Sequence, residues 1–159
     1  MNNTEFLRKV KVFQDLTDRE IQEIADIGNE QIFREGDFLF QEKDPSNGFF
    51  LIVSGVVDVM KGQSSRLARL REGEIVGELS LFDAWPRSAS AVGRIYPEIR
   101  VLFFSKDRFL NLLQVNRELG YKVLTAFLRK TCERLRMADE ELRGLAGNLY
   151  YSGNSRFGE

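Results

Sequence analysis

Hydrophobic positions recur along the chain in three successive rhythms, and each rhythm predicts a different kind of structure. In residues 1–30 they recur at helical spacing, and Thr17 stands three residues before Glu20, the spacing of a capping box at a helix start. Across residues 31–104, short β-rich stretches alternate with turns rich in Gly, Asp, Asn, Pro and Ser. Many short strands in this arrangement predict a mainly β domain, a jelly-roll β-barrel that follows an N-terminal helical segment.

Residues 105–149 return to helical spacing and predict a short helix followed by a long one, before a loose tail over residues 150–159. The long helix carries an uninterrupted heptad seam of Tyr121, Leu124, Leu128, Thr131, Leu135, Ala138, Leu142, Leu145 and Leu149. Such a seam is typical of a parallel two-stranded coiled coil, in which Arg134 and Asp139 of two copies stand at pairing positions. The seam from Leu124 to Leu145 therefore predicts a homodimer interface. The alternative is a two-faced helix that lies on its own barrel.

Composition and charge narrow the possible chemistry. The 159 residues carry a formal net charge of −1, so the basic excess typical of a nucleic-acid-binding surface is absent. Without histidine, the chain has no Ser-His-Asp triad, no histidine-ligated zinc and no proximal haem histidine. With one cysteine, Cys132, it forms neither an internal disulfide nor a four-thiolate cluster. We expect a soluble cytoplasmic protein without metal or cofactor, since no apolar run is long enough to span a bilayer.

Candidate chemistry concentrates in residues 73–89. A strand ending at Val76 is followed by Gly77 and by one predicted helical turn, whose free backbone N–H groups suit an anion. Arg87 follows within one short loop and offers a planar fork of donors, whereas the carboxylate of Glu78 suits hydroxyl groups. These groups together indicate a small phosphosugar ligand. The alternative is that Glu78 and Arg87 form an ion pair that braces the loop.

The sequence Gly-Glu-Leu-Ser-Leu-Phe at 77–82, followed by Pro-Arg-Ser-Ala at 86–89, resembles the phosphate-binding cassette of the cyclic-nucleotide-binding domain family. That family includes the catabolite activator protein and the regulatory subunit of protein kinase A. The resemblance extends over roughly residues 5–145, and it favours ligand binding over loop bracing. One departure is Val76, which stands where the family pattern commonly has Phe.

The resemblance also implies roles for individual residues. Glu78 would accept the ribose 2′-hydroxyl, Arg87 would pair with the cyclic phosphate, and backbone amides near Leu79 and Ser80, with Ser88, would complete the phosphate shell. The ligand-binding residues expected on this basis are Val59, Leu67, Leu70, Val76, Gly77, Glu78, Leu79, Ser80, Arg87, Ser88 and Ala89. On the long helix, Ala138 and Asp139 align with the Thr-Ser pair that catabolite-activator-like proteins place against adenine. The choice between cAMP and cGMP therefore stays open, with cAMP as the default.

The expected function is that of a non-catalytic cyclic-nucleotide sensor that signals through its C-terminal helix or an unknown downstream protein. The alternative is a ligand-free dimerisation module of the same fold. An enzyme acting on phosphosugars is disfavoured because no candidate base or nucleophile stands beside the cassette. DNA binding is not expected, since the helix-turn-helix domain that follows this helix in the catabolite activator family has no counterpart in the short tail.

Overall fold

The structure is a computed structural model that describes residues 2–82, 85–94 and 98–154, with side chains for all of these except Ser80 and 145–154. Its helices are α1 (Asn3–Leu7), α2 (Asp18–Ile27), α3 (Lys106–Val115) and α4 (Arg117–Asn154), with 3-10 turns at Lys11–Phe13 and Leu79–Leu81. Its strands are β1 (Asn29–Phe33), β2 (Phe38–Phe40), β3 (Gly48–Ser54), β4 (Val57–Lys61), β5 (Ser65–Leu70), β6 (Ile75–Val76), β7 (Ser90–Gly93) and β8 (Ile99–Ser105).

Eight strands form two antiparallel four-stranded sheets, in the orders β1-β8-β3-β6 and β2-β7-β4-β5. Apolar residues that alternate along the strands face each other between the sheets, among them Phe50 and Ile52 of the first sheet and Val57 and Ala91 of the second. The predicted jelly-roll class is confirmed, as an open two-sheet sandwich whose sheets do not close into a barrel. The cassette residues lie in and after β6, in the connection to β7, and line a cavity together with strands of the second sheet.

A second core joins the helices to the outer face of the first sheet. Phe49 of β3 stacks on Phe104 with ring centroids 4.9 Å apart and meets the edge of Phe109 at 4.8 Å. Phe127 of α4 completes this aromatic cluster, 5.9 Å from Phe49. Because these rings are almost fully buried, the first half of α4 is fixed against the sandwich and the rest of the helix extends from that anchor.

The N-terminal helices hold α4 from its other side. Thr17 and Glu20 form the predicted capping box at the start of α2. Lys122 of α4 donates to both carboxylate oxygens of Glu20 at 3.0 Å. Burial acts to raise the pKa of Glu20, but hydrogen bonds from Thr17 and Lys122 outweigh it and lower that pKa. The ion pair therefore fixes the N-terminal segment to the base of α4.

Several predicted boundaries shift in the structure. The N-terminal region divides into two α-helices and a 3-10 turn, and β1 begins at Asn29, before the predicted start of the sandwich. The helix α4 continues to Asn154, beyond Leu149, so only residues 155–159 of the predicted tail lie outside the described residues. Within the described part of the chain, no helix has the length and apolar composition needed to cross a membrane.

Candidate functional site

A cavity of about 550 Å³ lies between the second sheet, the cassette and α4. The predicted site residues that line it are Val59, Leu70, Val76, Gly77, Glu78, Leu79, Arg87, Ser88 and Ala89. Ser80 belongs to the 3-10 turn Leu79–Leu81, and its side chain lies outside the described residues. The structure thus gathers residues from two strands and the cassette around one space.

The expected position of Leu67 in the cavity wall is corrected by the structure. Its side chain is 59% exposed, and its neighbour Ala68 lines the cavity instead. Leu67 lies three positions before Leu70, so the alternation of side chains along β5 that turns Ala68 and Leu70 into the cavity turns Leu67 to the other face. Leu67 is also the residue skipped in the pairing with β4, where Val59 pairs with Ala68 and Met60 with Arg66.

Arg87 is the most deeply placed charge of the site, with only 3% of its surface exposed. Its guanidinium donates to the carbonyl oxygens of Gly77 at 2.9 Å and Gly48 at 2.7 Å, and lies 4.1 Å above the ring centre of Phe40. Its Nε is buried without a hydrogen-bond partner, and no carboxylate among the described residues forms an ion pair with it. Burial lowers the pKa of Arg87, because an apolar environment disfavours its charged form.

Gly77 makes this position of the arginine possible. Its φ is +85°, and a Cβ atom built on it would stand 2.4 Å from Nη1 of Arg87. Such a separation is far inside van der Waals contact, and the left-handed backbone favours glycine. This position therefore requires glycine for two reasons: its left-handed backbone conformation, and the guanidinium that occupies the space of a Cβ atom.

Glu78 pairs with the long helix and not with Arg87. The Glu78 residue is 6% exposed, and its Oε1 accepts a hydrogen bond from the guanidinium of Arg134 in α4. The loop-bracing ion pair between Glu78 and Arg87 is therefore absent. Within the single chain, Asp139 pairs with Arg143 one turn along its own helix at 3.6 Å, so both residues predicted to pair between copies also have intrachain partners.

The helix α4 supplies a wall of the cavity that the cassette pattern did not predict. The side chains that line it are Lys130, Glu133, Arg134 and Met137, which recur at helical spacing on one face. That spacing is visible in the sequence, but the prediction for this helix was based on the heptad seam, which lies on another face. Ala138 and Asp139, which align with the adenine-contacting pair, are exposed and do not line the cavity.

The seam faces away from the sandwich. Leu124, Leu128, Leu135 and Leu142 are 44%, 63%, 70% and 64% exposed, and Thr131 and Ala138 are exposed between them. The helix does pack on its own domain, as the alternative expected, but through other residues, so the described seam residues stay exposed. The side chain of Leu145 lies outside the described residues. The helix therefore presents one face to the cavity and a separate apolar stripe to solvent.

The chemistry of this cavity suits a small ligand with one anionic and one hydroxyl-bearing end. A buried guanidinium without an ion pair attracts an oxyanion. A carboxylate such as that of Glu78 accepts hydrogen bonds from hydroxyl groups. Among the residues that the structure describes, no cluster of acidic or thiol side chains is arranged to hold a metal ion. The apolar wall of Val59, Ala68 and Leu70 completes a pocket for a flat or apolar group.

Comparison with known proteins agrees with this geometry. A sequence model described as the cyclic nucleotide-binding domain matches residues 30–116. The cAMP-dependent protein kinase regulatory subunit of Hypocrea atroviridis is 33% identical over 108 residues, which are 68% of this chain and 23% of that protein. The chain thus spans about a quarter of the length of this curated relative.

Solved structures give the same result for the fold. A cyclic nucleotide-binding domain from Methylobacillus flagellatus is similar with a TM-score of 0.77 and 28% identity, over 90% of this chain and 82% of that one. The catabolite activator protein of Thermus thermophilus is similar with a TM-score of 0.71 and 30% identity, over 86% of this chain and 63% of that one. The match to the family over most of the sandwich, together with the cassette around Arg87, shows that this chain belongs to the cyclic nucleotide-binding domain family.

Proposed function

We propose that this chain binds a 3′,5′-cyclic nucleotide, with cAMP as the preferred ligand, and acts as a non-catalytic sensor. The observation that carries the proposal is the state of Arg87, a buried cation at a cavity wall with an unpartnered Nε and no ion pair to a described carboxylate. A buried charge without an ion pair is costly, and the single negative charge of a cyclic phosphate would offset that cost.

The positions of the polar groups suggest how the ligand lies. With its phosphate at Arg87, the ribose would reach Glu78 and the base would extend between the β4–β5 wall and α4. Support for cAMP comes from the relatives, since the Hypocrea atroviridis protein is a regulatory subunit of a cAMP-dependent kinase. The alternative of a ligand-free module is not favoured, because such a module has no use for a buried arginine without an ion pair at a cavity wall.

Calorimetric titration with cAMP, cGMP and linear AMP tests the proposal. We expect saturable binding of cAMP with a dissociation constant on the order of 1 µM. Linear AMP should bind much more weakly, because its phosphate carries a second charge and a different geometry. Absence of heat with both cyclic nucleotides, from protein that is folded by circular dichroism, would refute the proposal.

A second prediction concerns the ribose contact of Glu78. A hydrogen bond to a charged group contributes about 1.5–3 kcal/mol, so we expect 2′-deoxy-cAMP to bind roughly tenfold to a hundredfold more weakly than cAMP. In the Glu78→Ala variant the two ligands should bind with nearly equal affinity, because the acceptor of the 2′-hydroxyl is gone. The four affinities form a double-mutant cycle. If the native protein and the variant show the same ratio of affinities for cAMP and 2′-deoxy-cAMP, Glu78 does not contact the ribose 2′-hydroxyl.

The ion pair between Glu78 and Arg134 connects the proposed ligand site to α4. Because one carboxylate faces both the ligand and α4, a ligand that contacts Glu78 acts directly on the docking of the helix. A ligand shifts the position of α4 only by its difference in affinity between the two positions. We infer that the output passes through α4 to a downstream protein in the cytoplasm.

We also propose that two copies associate in parallel through the apolar stripe of α4. The stripe is exposed along at least four turns, and its heptad spacing matches a two-stranded coiled coil. The pairing would bury the exposed leucines and leave the cavity face of each helix on its own sandwich. The proposed binding partners of the chain are therefore the nucleotide and a second copy of the same chain.

A single substitution tests the dimer. Leu135→Glu places a charge at the centre of the stripe, and we expect it to convert a dimer to a monomer in sedimentation-velocity measurements at tens of micromolar protein. The matched control is Arg136→Glu, which changes the neighbouring exposed residue away from the stripe and should leave the dimer intact. A native chain that sediments as a monomer at every concentration would contradict the proposed interface.

A further inference from the structure

A second cavity lies beside the nucleotide cavity along α4 and shares Glu74, Lys130 and Glu133 with it. We call it the lateral cavity: it has a volume of about 200 Å³ and lies between the 3-10 turn Lys11–Phe13, the Gly73–Glu74 turn and the α4 stretch 126–133. Its apolar part is formed by Val12 and Ala126. None of the residues predicted to bind the nucleotide lines it, so the proposed function leaves this cavity unexplained.

Two loose ion pairs border the lateral cavity. Lys11 stands 3.6 Å from Glu133, and Arg129 stands 3.7 Å from Asp15, so each pair joins the N-terminal segment to α4. All four side chains are more than half exposed. Exposed pairs at such distances contribute little to stability, so they can rearrange around an incoming ligand at small cost.

Lys130 is the unusual charge of this region. It is half-buried, lines both the lateral and the nucleotide cavities, and has no hydrogen bond or ion pair among the described residues. Burial, followed by repulsion from Arg134, lowers the pKa of its ammonium group. An ammonium has three donors, and here the protein satisfies none of them.

Each carboxylate near Lys130 forms a hydrogen bond or an ion pair with a different group. Glu74 accepts the backbone N–H of Arg71 at 2.9 Å, Glu78 pairs with Arg134, and Glu133 pairs with Lys11. The remaining charged side chains of the cavity, Arg129 and Asp15, pair with each other. Glu78, Glu74 and Glu133 attract the charge of Lys130, but none of them forms an ion pair with it. Among the described residues, Lys130 is therefore the one cation lining the lateral cavity without an ion pair.

We propose that the lateral cavity binds a small organic or inorganic oxyanion, a carboxylate or a phosphate, through the ammonium of Lys130. Ligand pockets for drug-sized molecules begin near 300 Å³, so a cavity of about 200 Å³ fits a smaller molecule. The anion would accept hydrogen bonds from Lys130, and its apolar body would lie against Val12 and Ala126. The site shares Glu74, Lys130 and Glu133 with the nucleotide cavity but contains none of the residues predicted to bind the nucleotide, and it does not require that a nucleotide be bound.

Amide chemical shifts of the full chain, labelled with nitrogen-15, test the proposal. Sodium phosphate and sodium acetate are titrated separately at pH 7, with sodium chloride at matched ionic strength as the reference. We expect saturable shifts at the amides of Val12, Gly73 and Ala126, with a dissociation constant on the order of 1 mM. Saturation by phosphate alone assigns a phosphate ligand, by acetate alone a carboxylate, and by both a general oxyanion site.

Variants separate Lys130 from general charge effects. Lys130→Met should abolish the saturable shifts, Lys130→Arg should restore them, and Arg136→Met, which removes a positive charge elsewhere on α4, should leave them unchanged. Shifts that persist in Lys130→Met, or that sodium chloride reproduces, would overturn the inference. Shifts confined to the amides of Gly77, Leu79 and Ala89 would also overturn it, but would support an anion site in the nucleotide cavity.

Discussion

Replacing Arg87 with Ala is expected to weaken cyclic-nucleotide binding by roughly a hundredfold or more. A charge-assisted hydrogen bond contributes about 1.5–3 kcal/mol, and the guanidinium fork would make two to the cyclic phosphate. At about 1.4 kcal/mol per tenfold change in affinity, the lower end of this range already gives a factor of about one hundred. The loss should exceed that from any other single cassette side chain, because Arg87 supplies the charge that opposes the phosphate.

The surroundings of Arg87 decide which second variant is informative. Its hydrogen bonds to the carbonyls of Gly77 and Gly48, and its stacking on Phe40, use the planar fork as well as the charge. Arg87→Lys retains the charge but loses the fork, so we expect an affinity between those of the native protein and the alanine variant. The matched control is Arg66→Ala, which removes an exposed arginine of β5 that does not line the cavity.

Calorimetric titration with cAMP measures these affinities, and thermal unfolding monitors stability. Arg87→Ala removes a buried cation without an ion pair among the described residues, so the loss of its charge should not unfold the protein. An alanine variant that is folded and binds cAMP within about threefold of the native affinity would place the phosphate elsewhere. The same result from Arg66→Ala and Arg87→Ala would show only a general dependence on positive charge.

The cassette could be predicted from the sequence because its chemistry is local. Gly77, Glu78 and Arg87 are separated by ten positions or fewer, so one strand end, one turn and one loop bring them to the same place. The structure bears out this proximity, with the guanidinium of Arg87 bonded to the carbonyl of Gly77. What the local pattern did not contain was the partner of Glu78, since Glu78 and Arg87 form no ion pair in the structure.

Arg134 was missed because its contact is a product of tertiary docking. It lies 56 positions after Glu78, and the direction in which α4 crosses the cavity is set by the packing of Phe127 against the sandwich and by the ion pair of Lys122 with Glu20 of α2. In the sequence, Arg134 fits equally well as a flanking position of a coiled coil. A heptad pattern identifies the faces of a helix but not which face meets its own domain.

Leu67 shows an error of a different kind, within a strand. Side chains alternate along a strand, so Leu67 and Leu70, which are three positions apart, face the same side only if an extra residue stands between them. The residue skipped in the pairing with β4 is Leu67 itself, so Ala68 and Leu70 keep a common inner face. Regular alternation counted from Leu70 therefore predicts Ala68 and not Leu67 in the cavity wall, and the sequence did contain this information.

Gly77→Ala is the second substitution with a large expected effect, although it removes no interacting group. The new Cβ would stand 2.4 Å from Nη1 of Arg87, and the backbone φ of +85° is unfavourable for alanine. The left-handed conformation alone costs about 1–2 kcal/mol of folding free energy. Relief of the overlap requires Arg87 to move, which would break its bond to the carbonyl of Gly77.

Gly36→Ala is the control that separates these two effects. Gly36 has a φ of +88°, almost the same as that of Gly77, but a Cβ built on it meets no atom within 4 Å. In thermal unfolding, we expect Gly36→Ala to lose only the folding free energy that the left-handed backbone conformation costs an alanine. We expect it to bind cAMP with native affinity. Gly77→Ala should lose more stability and bind cAMP roughly a hundredfold more weakly, as Arg87→Ala does.

The comparison of the two alanine variants tests the preorganisation of Arg87 and not merely its presence. If Gly77→Ala binds cAMP as well as Gly36→Ala does, the guanidinium reaches the phosphate from more than one position, and its bond to Gly77 is dispensable. If affinity falls only in Gly77→Ala, the glycine holds the arginine where the phosphate needs it. A ligand that meets a donor fork already in place loses less entropy on binding, because no side chain has to be ordered.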